Sequence, residues 1–267
     1  MSAIDTLFQD LRNTGRKAFM PFVTAGDPDL EFTAELVRLL VDRGSSLCEV
    51  GIPYSDPIAD GPVIQASYTR ALEKNVKLAE IFRMLGSVAP EVSAPLVTMV
   101  SYAIVYRQGL EAYVTQAKAA GAAGAIVPDL PVEEAAALAE VCRREDFSLI
   151  QLITPTTPYD RALRIAEQTT GFLYYVSVTG ITGERDRLPE ELVESVGRLR
   201  EETELPICIG FGISRPEHVR RLLPVADGLI VGSAIVRRVA EAGKKPRGQV
   251  LSEIGDYVSE LLAAMES

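Results

Sequence analysis

Tryptophan is absent from this sequence, histidine occurs once, and aromatic residues make up only 6% of the chain. A core without many large rings must rest on aliphatic packing, and the 47% of hydrophobic residues among the 267 supply enough of it. Cysteine is scarce and scattered: Cys48, Cys142 and Cys208 form no CxxC pair and are odd in number. That usage points to reduced, mostly buried thiols in a cytoplasmic protein. Every Ser-His-Asp, Cys-His or His-rich metal site would have to pass through His218, which lies in SRPEHVRRLL, where an outer helix gives it a structural or solvated place. Positive charge is also short, 27 Lys and Arg against 37 Asp and Glu, for a net charge of −10. With no basic run or basic-aromatic patch, general nucleic-acid binding is excluded. No apolar run approaches a membrane span. The opening stretch MSAIDTLFQDLRNTGRKA reads as an amphipathic helix and not a signal peptide.

What the chain does have is alternation. Short apolar runs at Ala18–Val23, Leu47–Val50, Leu96–Val100, Ala125–Val127, Leu149–Ile153, Phe172–Ser177, Ile207–Gly210 and Gly228–Val231 are separated by stretches of helical period. The helical stretches are Leu30–Arg43, Val63–Glu73, Leu78–Val88, Leu110–Ala120, Val132–Arg144, Tyr159–Gln168, Pro189–Glu202, Pro216–Leu223, Ala234–Ala242 and Leu251–Met265. Eight strands each followed by helix is the count of an α/β (β/α)8 TIM barrel, here with an extra N-terminal helix and no linker to divide residues 1–267 into more than one domain. A doubly wound open sheet is the competing layout. The longest strand-to-helix connections, Gly51–Pro62 and Val178–Leu188, fall on the face of a barrel that usually carries function.

The first of these connections follows a strand that contains a carboxylate, in CEVGIPYSDPIADGP. Alternation turns Cys48 and Val50 toward outer helices and leaves Leu47, Glu49 and Gly51 facing the barrel interior. There Glu49 loses hydration, which disfavours its charged form and suits it to exchange a proton near neutrality. Asp60, at the far end of the loop, can fold over the mouth, where more water keeps it ionised more easily. Two carboxylates in different settings can divide acid and base duties. The plainer readings are that Glu49 is an ion-pair partner, that Asp60 caps the helix starting near Pro62 and that Asp56 makes an Asx-turn. For Asp56 the turn is the better reading. For Glu49 a structural role is disfavoured by the cost of burying a carboxylate.

Three glycine-bearing turns follow the last three strands: Gly180-Ile181-Thr182-Gly183, Gly210-Phe211-Gly212-Ile213-Ser214 and Gly232-Ser233. Glycines let main-chain N–H groups approach an anion, and helix N-termini add a favourable field, so a phosphate can be held there without Lys or Arg. One such turn is only a turn; three at neighbouring strand ends favour a phosphate site. GFGISR lacks the third glycine of a dinucleotide fingerprint. Phe22, Met99, Ile126, Pro128, Leu152, Tyr174 and Phe211 can form an apolar slot beside Glu49, with Phe22, Tyr174 and Phe211 the ones that rise above ordinary core.

Taken together, PFVTAGDPD, CEVGIPYSDPIADGPVIQ, VPDLPVEE, TPTTP, SVTGITG, GFGIS and GLIVGSAIV resemble the tryptophan synthase α subunit family over nearly the whole chain. The resemblance implies a barrel that cleaves indole-3-glycerol phosphate to indole and glyceraldehyde 3-phosphate with no cofactor and no metal. It implies that Glu49 is the acid-base residue and that Asp60 meets the indole N–H. By the same resemblance Tyr174 is an active-site Tyr, Gly183, Gly212, Gly232 and Ser233 bind phosphate, and Thr182 sits in a loop that closes on substrate and bonds Asp60. The partner it implies is a pyridoxal-phosphate β subunit, in an αββα complex with Pro53–Ile58 and the segment MVSYAIVYRQG near the interface. In that segment Ala103 stands where the family usually has Asn. Some relatives release indole alone. Other phosphosugar barrels normally want a Lys, His or metal set that is missing here, and a non-catalytic phosphate-binding regulatory subunit would not need both Glu49 and Asp60.

Overall fold

The computed structural model describes residues 2–176, 190–210 and 212–266. Its strands are β1 Ala18–Thr24, β2 Cys48–Gly51, β3 Leu96–Met99, β4 Ala122–Ile126, β5 Ser148–Ile150, β6 Leu152–Ile153, β7 Leu173–Val176, β8 Ile207–Gly210 and β9 Gly228–Val231. All pair in parallel, in the order β5-β4-β3-β2-β1-β9-β8-β7-β6. The two ends of that order, β5 and β6, are consecutive in the chain and separated only by Gln151. The Tyr174 N–H donates to the Gln151 carbonyl at 3.1 Å, so the ring closes through this residue. The expected strand Leu149–Ile153 is thus one barrel strand split at Gln151, and the closed (β/α)8 barrel stands while the open sheet does not. β4 begins at Ala122 and not Ala125, because Ala122 and Gly124 already pair with Leu96 and Val97.

The helices are α1 Ala3–Asn13, α2 Leu30–Asp42, α3 Pro62–Glu73, α4 Leu78–Val88, α5 Tyr102–Gln108, α6 Leu110–Ala119, α7 Ala135–Arg144, α8 Tyr159–Gln168, α9 Glu190–Glu202, α10 Pro216–Leu222, α11 Ser233–Val239 and α12 Arg247–Ala263. α5 is the one helix that sequence periodicity does not announce: only Val105 of its seven residues is buried, so it carries no apolar stripe, and Gly109, at φ 89°, separates it from α6. The Ser101 hydroxyl caps it by accepting from the Ala103 N–H.

Alternation sorts the core into two bodies. Cys48, Val50, Phe19 and Val23 belong to the layer between strands and helices. Leu47, Ala18, Met20, Phe22, Val97, Ile126, Ile150 and Cys208 fill the barrel interior. α1 closes the amino-terminal end. Its Ile4, Phe8 and Leu11 join the interior cluster, Phe8 lies 5.7 Å from Phe172, and Ser2 both caps the helix and bonds Ser148 at 2.9 Å. The three cysteines are free and buried.

Candidate active site

The carboxyl ends of the strands open onto a cleft of about 550 Å³. Phe22, Met99, Pro128, Leu152, Tyr174 and Val176 line its apolar side; Asp60 and Gly61 stand on one rim and Gly212, Ile213, Gly232 and Ser233 on another. Among the expected slot residues, Ile126 does not reach the cleft and is wholly buried beneath it. Thr182, Gly183 and Phe211, with the loop Val178–Leu188, lie outside the described residues.

Glu49 has no exposed surface and contributes none to the cleft wall. Its place in β2, in register with Phe22 of β1 and Val97 of β3, puts it on the inner side of the barrel, as alternation requires. Gly51, two residues on and on the same face, shows what covers it. A Cβ there would stand 2.5 Å from the Phe22 ring and 2.9 Å from the Tyr68 hydroxyl, so both side chains occupy the space that only glycine leaves open. Both Glu49 carboxyl oxygens are buried without a hydrogen-bond partner among the described residues. That removes the ion-pair reading. Burial alone drives the Glu49 pKa well above the usual carboxylate range, which favours the neutral acid. The charge of its ionised form reaches the hydroxyls of Tyr174 and Tyr68, both held protonated chiefly by burial.

Asp60 is half-buried at the mouth. The chain around it is fixed by Gln65 of α3, whose amide donates to the Asp60 carbonyl at 2.8 Å, and by the Asp60 N–H, which donates to the Pro57 carbonyl at 3.1 Å. Its side chain does not cap α3; Gly61 is the N-cap, and Pro62 opens the helix. Asp60 ionises more easily than Glu49, as its place at the mouth leads one to expect, yet less freely than an exposed carboxylate. Burial, and then the charge of nearby Asp129, push its pKa up to about 6. Asp129 was not singled out in the sequence, although VPDLP contains it. It accepts from the Ser101 hydroxyl at 2.6 Å and the Tyr102 N–H at 2.7 Å and shares a small pocket with Asp60. The Asp56 turn is also built differently from an Asx-turn: the Ile58 N–H donates to the Asp56 main-chain carbonyl, while the carboxylate accepts from Ser55.

At the rim formed by the ends of β8 and β9, Gly212 has φ 77°, a conformation that favours glycine, and Gly210 leaves room for Tyr174, whose hydroxyl would stand 2.5 Å from a Cβ at that position. Ser233 begins α11. One turn further along, Arg237 lines the same rim and is the cation of the described lining, a residue that a site framed on glycines alone passes over. Among the described residues no His, Cys, Asp and Glu cluster could hold a metal ion.

An interior acid beneath a cleft, an ionisable acid at its mouth and a glycine-lined rim on the same cleft are what the resemblance requires. A sequence profile of the tryptophan synthase alpha chain matches residues 8–265. The chain belongs to the tryptophan synthase α chain family. Curated α chains from Rhodopirellula baltica and Rippkaea orientalis are 56% and 45% identical to it, the first covering 100% of both chains and the second 100% of this chain and 99% of the relative. Among solved structures, the α subunit from Legionella pneumophila superposes with a TM-score of 0.90 at 33% identity, covering 100% of this chain and 99% of that one. A tryptophan synthase complex from Pyrococcus furiosus matches with a TM-score of 0.83 at 36% identity, covering 93% of this chain and 99% of that one. The family's activity is the lyase cleavage of indole-3-glycerol phosphate in tryptophan biosynthesis, and this chain is a lyase of that kind.

Proposed function

We propose that Glu49 and Asp60 perform this cleavage between them, with the phosphate of the substrate at Gly212, Gly232 and Ser233. The observation that carries the reading is the buried, unpartnered carboxyl of Glu49 beneath the cleft. No hydrogen bond has to break for it to turn toward a ligand. As a neutral acid it gives its proton to C3 of the indole ring, and the ring becomes an iminium electron sink. The resulting carboxylate takes the proton of the glycerol hydroxyl next to the breaking bond. The C–O bond becomes a carbonyl, the C–C pair returns to the ring, and indole and glyceraldehyde 3-phosphate separate with Glu49 again protonated. Asp60, ionised above about pH 6, faces the positive charge that grows at the ring nitrogen. Phe22, Leu152 and Tyr174 supply the apolar walls for the ring. Arg237 adds a full charge to the glycine rim that receives the phosphate. Turnover of Glu49→Gln, followed as indole release, tests the assignment: an unimpaired rate ends it.

The partner this reaction calls for is a β subunit that accepts indole. Ile58, 87% exposed, and Tyr106, 73% exposed, are the two most exposed large hydrophobic side chains described, and they stand on the β2–α3 loop and on α5, the two segments expected near such an interface. Docking of this kind makes indole release rise on addition of a β subunit. A high rate that an added β subunit does not change favours the free-standing lyase instead.

A further inference from the structure

His218, the chain's single histidine, has no part in the chemistry above, yet it is folded onto the phosphate rim. The connection from β8 to α10 carries Gly212 and Ile213, both of which line the cleft beside Gly232 and Ser233. His218 sits in the first turn of α10 and reaches back to this connection. Its Nδ1 accepts a hydrogen bond from the Ser214 N–H at 3.3 Å, and the Gly212 main chain lies near enough to favour the charged form of the ring. The residue is only 9% exposed, and Val219 and Leu222 of the same helix are buried. The imidazole therefore ties the turn at Ser214, directly after Ile213.

We propose that His218 is a positioning residue of the phosphate turn: by bonding Ser214 it holds the main chain of Gly212 and Ile213 in the shape that receives the phosphate end of the substrate. This rests on reading the Gly212–Ser233 rim as the phosphate site. A loop containing a left-handed glycine has many competing conformations, and a contact that selects one of them lowers the ordering cost on binding. The role needs an unprotonated Nδ1, because only that form accepts a hydrogen bond. Burial, with Arg215 and Arg221 in the same direction, holds the ring pKa below its ordinary value, against the Gly212 contact and Glu217, so the neutral ring persists at neutral pH. The effect is on affinity, since His218 touches neither the reacting bond nor Glu49.

The test uses the full chain with His218→Phe, which keeps a ring but has no nitrogen, and His218→Gln, which offers one acceptor and one donor on a side chain of similar reach. Expected for His218→Phe is a KM for indole-3-glycerol phosphate raised about tenfold with kcat within about twofold of wild type, and for His218→Gln a KM restored to within about threefold. An unchanged KM in His218→Phe, or a fall in kcat at constant KM, overturns the proposal. A second measurement is the rise in melting temperature given by inorganic phosphate. It should be smaller in His218→Phe and kept in His218→Gln; equal rises in all three proteins overturn the proposal. If neither variant folds, the ring is a core residue and the proposal falls. A wild type without turnover would sink the lyase reading, and the phosphate measurement would still decide this one.

Discussion

Asp227 and Glu49 are acidic residues at opposite ends of the same barrel. Asp227 precedes β9 at the amino-terminal end, where Lys17 lies 3.5 Å away, Arg200 donates at 2.9 Å and the Ile207 N–H donates at 2.9 Å. Glu49, near the carboxyl end of β2, has no partner among the described residues although it is the more buried. The first arrangement spends a carboxylate on tying three segments together. The second leaves one uncompensated in the interior, which costs stability at any pH that ionises it. A fold keeps such a group only where something other than stability selects it, and the cleft above it says what. At the end closed by α1 the carboxylate is satisfied, whereas at the open end Glu49 is left without a partner.

Removing the unpartnered acid should therefore hurt chemistry and spare folding. Glu49→Gln replaces a neutral carboxyl by a neutral amide of nearly the same shape. Indole release is expected to fall by about a thousandfold or more, as for loss of a residue that serves as both acid and base, with the melting temperature close to wild type. A variant that loses folding along with activity would place Glu49 on the structural side of the comparison.

The reverse holds at the closed end. Asp227→Ala removes a charge-assisted bond to a main-chain N–H and two half-exposed ion pairs, and should cost about 2 kcal/mol in a denaturant or thermal unfolding measurement with kcat unchanged. Asp60 sharpens the contrast. Its folded pKa of about 6 lies above the unfolded value, so the folded chain holds the proton more tightly. Folding is penalised above about pH 6, and the penalty fades as pH falls toward the unfolded value. Asp60→Asn should accordingly raise stability by about 1 kcal/mol at pH 8 and by little at pH 4, while turnover falls at pH 8. Equal stability changes at the two pH values would contradict the shift.

Much of this was legible because strands obey a period of two. Cys48, Glu49 and Val50 could be assigned to faces from alternation alone, and the interior position of Phe22 followed in the same way. Where period failed, so did the reading. α5 has too little buried surface to show a stripe, Gln151 breaks a strand through pairing that only the closed ring reveals, and β4 starts among small residues that carry no apolar signal. In the site, the residues missed act across chain distance. Asp129 matters through its charge on Asp60, and Arg237 reaches the rim from a turn beyond the serine that marks it. His218 was rightly placed on an outer helix, but nothing in SRPEHVRRLL says that its ring turns back to Ser214.

Arg237 is an exposed cation, so its contribution should be smaller than that of either buried acid. Arg237→Ala is expected to raise KM for indole-3-glycerol phosphate about fivefold, with kcat little changed and Arg237→Lys close to wild type. Because Arg237 is exposed, the effect should shrink as salt is added. A KM insensitive to both substitution and salt would leave the phosphate to the glycine turns and the α11 terminus alone.

The smallest expected effect falls on Asp129, a carboxylate of the open end that is nevertheless fully bonded, like Asp227. Ser101 and Tyr102 donate to different oxygens of it, and an Asn can keep both contacts, since the serine hydroxyl can also accept. Asp129→Asn therefore removes charge with little change of shape. Its negative charge raises the Asp60 pKa, so its removal lowers it; burial, the larger cause, remains, and the value does not return to that of a free carboxyl. If ionised Asp60 is needed for cleavage, the acid limb of kcat/KM should move to lower pH by a fraction of a unit, with the rate on the plateau little affected. A limb that stays in place would show that the low-pH loss of activity belongs to some group other than Asp60, and a limb that moves upward would reverse the sign on which its role at the ring nitrogen depends.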